Sequence, residues 1–166
     1  MSCQSFQLPE AVIIYFAKPC AALEAMACRK VAVEARHMDL ERRLSFEALA
    51  FAYRPVLVEP KRDLGVEDGG DIVEVYGGAS RKSLMPCPHE LVFELVRRGF
   101  LSALPDYLLV AAEEEREGQK TPLVFRVDRD LEQDSFSITI RATDGSNIGW
   151  SAEGKPRWLF VEMKPE

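Results

Sequence analysis

Cys87 and His89 are the two residues of this 166-residue chain whose types and spacing could support nucleophilic catalysis. They belong to the run Cys87-Pro88-His89-Glu90, which predicts a helix start with Pro at the first position. The amides and the dipole at a helix N-terminus would lower the pKa of the cysteine, and the histidine could accept its proton. Residues two apart on a helix do not face each other, however. A half-buried structural cysteine and an exposed first-turn histidine are therefore the favoured interpretation.

Metal chemistry has a weaker basis in the sequence. Cys20 and Cys28 lie on one predicted helix, and eight residues of helix span about 12 Å. Two thiolates that share a zinc ion must each lie about 2.3 Å from it. His37 lies more than a further turn away, and the chain has no Cys-x-x-Cys or His-x-x-x-His spacing. We expect neither a metal ion nor a cofactor.

A third candidate is an anion-binding loop formed by Ser80, Arg81, Lys82 and Ser83. It follows a predicted strand, as a phosphate-binding loop does. A true phosphate loop needs Gly before the Lys and a helix directly after it, whereas Arg81 and Met85-Pro86 occupy those places. Two interpretations stay open: a basic loop that contacts an anion, and a solvated connection.

The acidic run at residues 113–117 is the main candidate for a binding surface. It falls at the end of a helix predicted from about Pro105 to Glu117, where negative charge is unfavourable to the helix dipole. Such a run is usually a solvated face, but it could also contact a basic partner. Trp150 is a second surface candidate, because Trp is frequent in binding hot spots. The predicted binding residues are Glu113, Glu114, Glu117 and Trp150.

Charge and motifs argue against two other functional classes. The net charge of −6 repels nucleic acid, and the basic pairs (42–43, 61–62, 81–82 and 97–98) fall at the ends of different predicted elements. A Ser-His-Asp site would have to use one of the two histidines, and the chain has no Gly-x-Ser-x-Gly motif. Neither nucleic-acid binding nor serine hydrolase chemistry is expected.

Composition predicts a folded protein of one domain, residues 1–166, with a weak candidate boundary at 77–86. Hydrophobic residues make up 47% and charged residues 29% of the chain, which is typical of globular proteins. The four cysteines are too sparse for a disulfide framework. The apolar run Ala11–Phe16 is too short for a signal peptide or a membrane span. We therefore expect a cytoplasmic protein that does not contact a membrane.

Hydrophobic periodicity and turn residues predict the elements that would position these side chains. Helices are predicted at 21–37, 45–51, 88–98 (ended by Gly99) and 105–117. Strands are predicted at 12–16, 56–58 and 72–76. The C-terminal third predicts a four-stranded meander with strands at 122–127, 135–142, 146–151 and 157–163, and with a tight turn at Asp144-Gly145.

Two of these strands carry information about the layers of the fold. Residues 135–142 alternate between apolar and polar side chains, which indicates one covered and one wet face. Residues 158–161 (Trp-Leu-Phe-Val) are apolar on both faces, which places their strand inside the sheet. The predicted class is α+β: a largely antiparallel sheet with a C-terminal four-stranded meander and helices packed mainly on one face.

The function that remains after these exclusions is a non-catalytic protein-binding module of the adaptor, escort or toxin-neutralising type. It would hold one protein partner through the acidic surface or a sheet edge. The alternative is a small enzyme or ligand-binding protein whose pocket has Cys87, His89 and the Ser80–Ser83 loop at its mouth. Homo-oligomer formation is left open by the sequence.

Overall fold

A computed structural model describes residues 12–13, 18–35, 44, 46, 52–67, 71–101, 107–130, 132, 135–142 and 157–162. Within these residues the helices are α1 (Pro19–Cys28), α2 (Pro60–Leu64), α3 (Ile72–Arg81) and α4 (His89–Arg97). The strands are β1 (Val12–Ile13), β2 (Ala32–Ala35), β3 (Ala52–Tyr53), β4 (Pro55–Val58), β5 (Leu84–Met85), β6 (Tyr107–Arg116), β7 (Gln119–Asp130), β8 (Ser135–Ala142) and β9 (Trp158–Glu162).

Seven of the strands form one mixed sheet in the order β2-β8-β7-β6-β9-β4, and β5 also pairs with β9. The β6–β7, β7–β8, β4–β9 and β5–β9 pairs are antiparallel, whereas β2–β8 and β6–β9 are parallel. Strands β1 and β3 form a separate antiparallel pair. The predicted α+β class with a largely antiparallel sheet is confirmed.

The four-stranded meander is not confirmed. Strands β7 and β8 contain the first two predicted strands and pair antiparallel. The fourth predicted strand, β9, lies between β6 and β4 instead of continuing the meander beyond β8. The third predicted strand at 146–151 and the Asp144-Gly145 turn lie outside the described residues, as do most of the predicted strand at 12–16 and of the short helix at 45–51.

Strand β9 is internal to the sheet, as its apolar sequence predicts. Trp158, Leu159, Phe160 and Val161 are all fully buried. Trp158 and Phe160 belong to one core cluster, and Leu159 and Val161 belong to another. Since successive strand residues point to opposite faces, the two clusters lie on opposite faces of the sheet.

The described helices cover both faces of the sheet, so the expectation that they pack mainly on one face is wrong. Helices α1 and α4 contribute Met26, Leu91 and Leu95 to the cluster that contains Leu159. Helices α2 and α3 contribute Leu64 and Val75 to the cluster that contains Trp158. The cause is the sheet itself, because β6 and β9 expose apolar side chains on both faces and both must be removed from water.

The predicted helix at 105–117 is a strand. Residues 107–116 form β6, which joins β7 through a two-residue turn in which Glu117 (φ 51°) and Gly118 (φ 79°) both have positive φ. Two positive φ values are what a type I′ hairpin turn requires. The Ala and Glu residues of this segment favour helix locally, but burial on both faces between β7 and β9 outweighs that preference.

The predicted strand at 72–76 is the first half of helix α3. The Asp71 carboxylate caps the helix by accepting a hydrogen bond from the Glu74 amide at 2.8 Å. The β-branched residues Ile72, Val73 and Val75 suggested a strand, but Asp three residues before Glu is also a helix-start pattern. The Asp71 cap and the tertiary packing of the helix together outweigh the weak strand preference of these residues.

The predicted helix at 21–37 is correct only in its first part. Helix α1 ends at Cys28, Lys30 has a positive φ of 58°, and the chain then enters β2 at Ala32. Residues 32–35 pair in parallel with Ser137–Ile140 of β8. Parallel pairing is a contact between residues far apart in the chain, and a helical apolar periodicity carries no information about it.

Helix α4 and its end are confirmed, although Pro88 precedes the helix instead of being its first residue as predicted. It begins at His89 directly after Pro88, and Leu91, Val92 and Leu95 are buried. The amide of Gly99 (φ 73°) donates to the Val96 carbonyl, and the amide of Phe100 donates to the Leu95 carbonyl. This pair of bonds is a Schellman motif, which places a left-handed residue after the helix.

The adjacent glycines of α3 give a matched test of the packing of α2 against α3. A Cβ on Gly78 would lie 3.0 Å from the Leu64 Cβ and 3.1 Å from the Leu64 carbonyl oxygen. A Cβ on Gly77 would meet only the Arg81 Nη1, at 3.8 Å. We expect Gly77→Ala to stabilise the protein by up to about 1 kcal/mol through helix propensity. Gly78→Ala should destabilise it, because α2 must move.

Urea unfolding of the two variants measures the difference. Both substitutions add one methyl group to the same helix, so each is the control for the other. Equal unfolding free energies in the two variants would contradict the close approach of α2 and α3 at Gly78.

Candidate functional site

A cleft of about 440 Å³ lies beside the β6–β7 hairpin, and we call it the hairpin cleft. One wall is the segment that leads from β5 into α4, and the other wall is the hairpin itself. Strand β3 contributes one side chain. The lining residues are Tyr53, Met85, Pro86, Cys87, Pro88, His89, Glu90, Glu113, Glu115 and Lys120.

Hydrogen bonds along one edge of β6 hold the two walls together. Strand β9 pairs with β6 only at Leu109 and Val110. Beyond that point the Cys87 amide donates to the Ala111 carbonyl (2.6 Å), and His89 Nε2 bonds the Glu113 carbonyl (2.7 Å). Alternate residues of a strand direct their backbone groups to the same edge. Residues 87–89 therefore occupy the part of this β6 edge with which β9 does not pair.

Cys87 is a core residue with a buried thiol. It is 3% exposed, and Sγ donates a hydrogen bond to the Leu159 carbonyl at 3.4 Å. Burial raises the pKa of the Cys87 thiol far above its ordinary value. The condition for a lowered pKa is not met, because Pro88 and not Cys87 is the residue directly before α4 and the Cys87 side chain points into the core. Cys87 is more deeply buried than the half-buried structural cysteine that the sequence favoured.

His89 is buried and serves as a structural hydrogen-bond donor. It is 4% exposed, and its ring meets Phe125 edge-on at 5.6 Å between centroids. A carbonyl can only accept, so Nε2 carries the proton in its bond to Glu113. Burial lowers the pKa of His89, although the Glu113 carbonyl and the Glu114 charge act in the opposite direction. The expectation of an exposed first-turn histidine is therefore wrong.

The acidic run is distributed over the two faces of β6 and the turn. Glu113 is half-buried and lines the hairpin cleft together with the exposed Glu115. Glu114 points to the opposite face and is 7% exposed. Glu117 is exposed at the turn. Of the predicted binding residues, Glu113 and Glu117 are accessible, Glu114 is buried, and Trp150 lies outside the described residues.

The Ser80–Ser83 segment is exposed and lies at the C-terminal end of α3, not in a loop after a strand. The amides of Lys82 and Ser83 donate to the carbonyls of Ala79 and Ser80, so both amides already have partners within the helix end. A helix C-terminus also carries partial negative charge. None of these four residues lines the hairpin cleft. Anion binding here stays a prediction, and the geometry does not favour it.

The structure adds four cleft residues with ionisable side chains that the sequence analysis missed: Tyr53, Glu90, Glu115 and Lys120. Glu115 pairs with Lys120 in register across the hairpin. The signal that could have found Glu115 and Lys120 was Gly118, a turn residue between the apolar runs 107–112 and 122–127. The prediction of a helix at 105–117 placed Gly118 at a helix end and not in a hairpin turn.

Within the described part of the chain, no three His, Cys, Asp or Glu side chains come together closely enough to hold a metal ion. Cys20 and Cys28 are both exposed on α1. None of the described helices has the length and apolar run that a membrane crossing requires.

Comparisons of the chain with protein-family models, with curated proteins and with solved structures found no match. The function must therefore be argued from the site.

Thiol reactivity tests the placement of Cys87. We expect iodoacetamide at pH 7.5 to alkylate the exposed Cys20 and Cys28 at least tenfold faster than the buried Cys87, whose raised pKa leaves it protonated. Peptide mass spectrometry after timed quenching gives the rate for each residue. Alkylation of Cys87 in the folded protein as fast as that of Cys20 would contradict the buried thiol and reopen nucleophilic chemistry.

The lowered pKa of His89 predicts a pH-dependent stability. The folded state binds the proton less readily than the unfolded chain, whose histidine has a pKa near 6.5. The unfolding free energy should therefore fall as the pH is lowered through and below about 6.5, by at most about 1.4 kcal/mol per pH unit. Urea unfolding at pH 7.5, 6.5 and 5.5 measures this fall, and His89→Gln should reduce it. A His89 titration midpoint at or above 6.5, measured by NMR, would disprove the assignment.

Proposed function

We propose that this protein is a non-catalytic protein-binding module that holds one basic protein partner through the β6–β7 hairpin. The observation that carries the proposal is the position of Glu113, Glu115 and Glu117, which we call the acidic face. Two of these carboxylates border a cleft, and the third lies at the exposed turn. Charge complementarity of this kind accelerates encounter and selects the partner.

The chain's overall charge supports a basic partner. The net charge is −6, so attraction toward a cationic surface acts over the whole molecule before contact. At the contact itself the hairpin presents its carboxylates from a strand, which fixes their spacing.

The hairpin also has the rigidity that a recognition surface needs. The turn at Glu117 and Gly118 is only two residues long, and the edge of β6 is bonded to Cys87 and His89. A surface that is held in its bound geometry before contact loses less conformational entropy on binding.

The alternative of a small enzyme at Cys87 and His89 has less support. The Cys87 thiol is buried and bonded to Leu159, whereas His89 is bonded to Glu113. A nucleophilic pair needs a thiol and a base in mutual contact and access for substrate. The Ser80–Ser83 segment, which was expected at the mouth of the same pocket, does not line it.

Charge reversal of the acidic face tests the proposal. We expect Glu113→Lys/Glu115→Lys/Glu117→Lys to reduce capture of the partner from source-cell extract at least tenfold and to flatten its salt dependence, because attraction becomes repulsion. Quantitative mass spectrometry of the captured proteins measures this. Glu114 is left unchanged because it is buried.

The matched control is Glu24→Lys/Glu67→Lys/Glu132→Lys, which reverses three exposed carboxylates on α1, after α2 and after β7. It changes the net charge equally and should retain the partner. Capture of the same partner by both variants at equal yield would remove the acidic face from the proposal.

A further inference from the structure

We propose that the hairpin cleft binds one arginine side chain of the basic partner. This inference rests on the proposed function and gives it a specific contact. The cleft volume of about 440 Å³ falls within the usual range of ligand pockets, about 300–1,000 Å³. The chemistry of its lining decides what it can hold.

The lining combines carboxylates from two elements with one aromatic ring. Glu113 and Glu115 come from β6, Tyr53 comes from β3, and the nearly fully buried Glu90 comes from the first turn of α4. Carboxylates favour a cation, and an aromatic ring attracts a cation that lies over its face. His89 adds no opposing charge, because its buried imidazole is bonded to the Glu113 carbonyl and neutral near pH 7.

The lining favours an organic cation over a metal ion. No group of three His, Cys, Asp or Glu side chains among the described residues is close enough for metal coordination. A guanidinium is planar and directs five N–H donors outward in a fork, so it can bond more than one carboxylate at once. An ammonium is compact and strongly hydrated, and it fits such a site less well.

The remaining lining suits the stem of the same side chain. Met85, Pro86 and Pro88 form an apolar stretch of the wall, and the methylene groups of arginine pack well on such surfaces. Lys120 also lines the cleft, in register with Glu115. Its ammonium opposes an incoming cation.

Short peptides test this inference without knowledge of the partner. Acetyl-Gly-Arg-Gly-amide is titrated into the protein and followed by amide chemical shifts, with the citrulline peptide as the uncharged isostere and the lysine peptide as the alternative cation. We expect saturable shifts in residues 113–120 and 85–90, with a dissociation constant on the order of millimolar. Binding should be at least fivefold weaker for lysine, and no saturation is expected for citrulline.

Variants identify the residues responsible. Glu113→Gln/Glu115→Gln should weaken binding of the arginine peptide at least fivefold, whereas Glu67→Gln, an exposed carboxylate outside the cleft, should leave it unchanged. Lys120→Met should tighten it at least twofold, because the competing ammonium is removed. An unchanged affinity in Glu113→Gln/Glu115→Gln overturns the assignment.

Other outcomes separate this inference from the proposed function. Equal binding of the citrulline and arginine peptides, or tighter binding of spermidine than of the arginine peptide, overturns the arginine pocket. If charge reversal of the acidic face abolishes partner capture while the arginine peptide leaves the cleft unperturbed, the arginine pocket is wrong and the protein-binding function stands. If neither effect is seen, both are wrong.

Discussion

The burial of β9 on both faces is the constraint on which the described fold depends. Trp158 and Phe160 enter one core, and Leu159 and Val161 enter the other. Each such side chain contributes about 1.5–3 kcal/mol when it is removed from water. A shift of one residue in register would exchange the two sets and mismatch both cores at once. The sheet therefore needs helices on both faces, which α1 and α4 supply on one side and α2 and α3 on the other.

The same strand determines where the candidate site lies. Because β9 pairs with β6 over two residues only, the remaining edge of β6 is open to another segment, and Cys87 and His89 occupy it. The two residues that appeared most reactive in the sequence thus make structural contacts here. The Cys87 amide and the His89 ring bond the hairpin to the start of α4, and the cleft lies between these elements.

The candidate site could be predicted only in part. The charge of the run at 113–117 is visible in the sequence, so Glu113 and Glu117 were identified correctly as accessible acidic residues. Their arrangement was not visible. On a helix Glu113 and Glu117 would share a face, whereas on a strand Glu113 and Glu115 share one and Glu114 faces the opposite side. Tyr53 and Glu90 join them through contacts between distant parts of the chain.

The sequence by itself determined the α+β class, the internal position of β9, the alternating strand β8, and helix α4 with its glycine end. These features follow from periodicity, two-sided apolar character and turn chemistry, which are properties of neighbouring residues. Only the tertiary structure decided that 107–116 is a strand, that 72–81 is a helix, and that Cys87 and His89 bond to the edge of β6. Strand pairing and burial act between residues far apart in the chain, and they outweigh local propensities that differ by less than about 1 kcal/mol per residue.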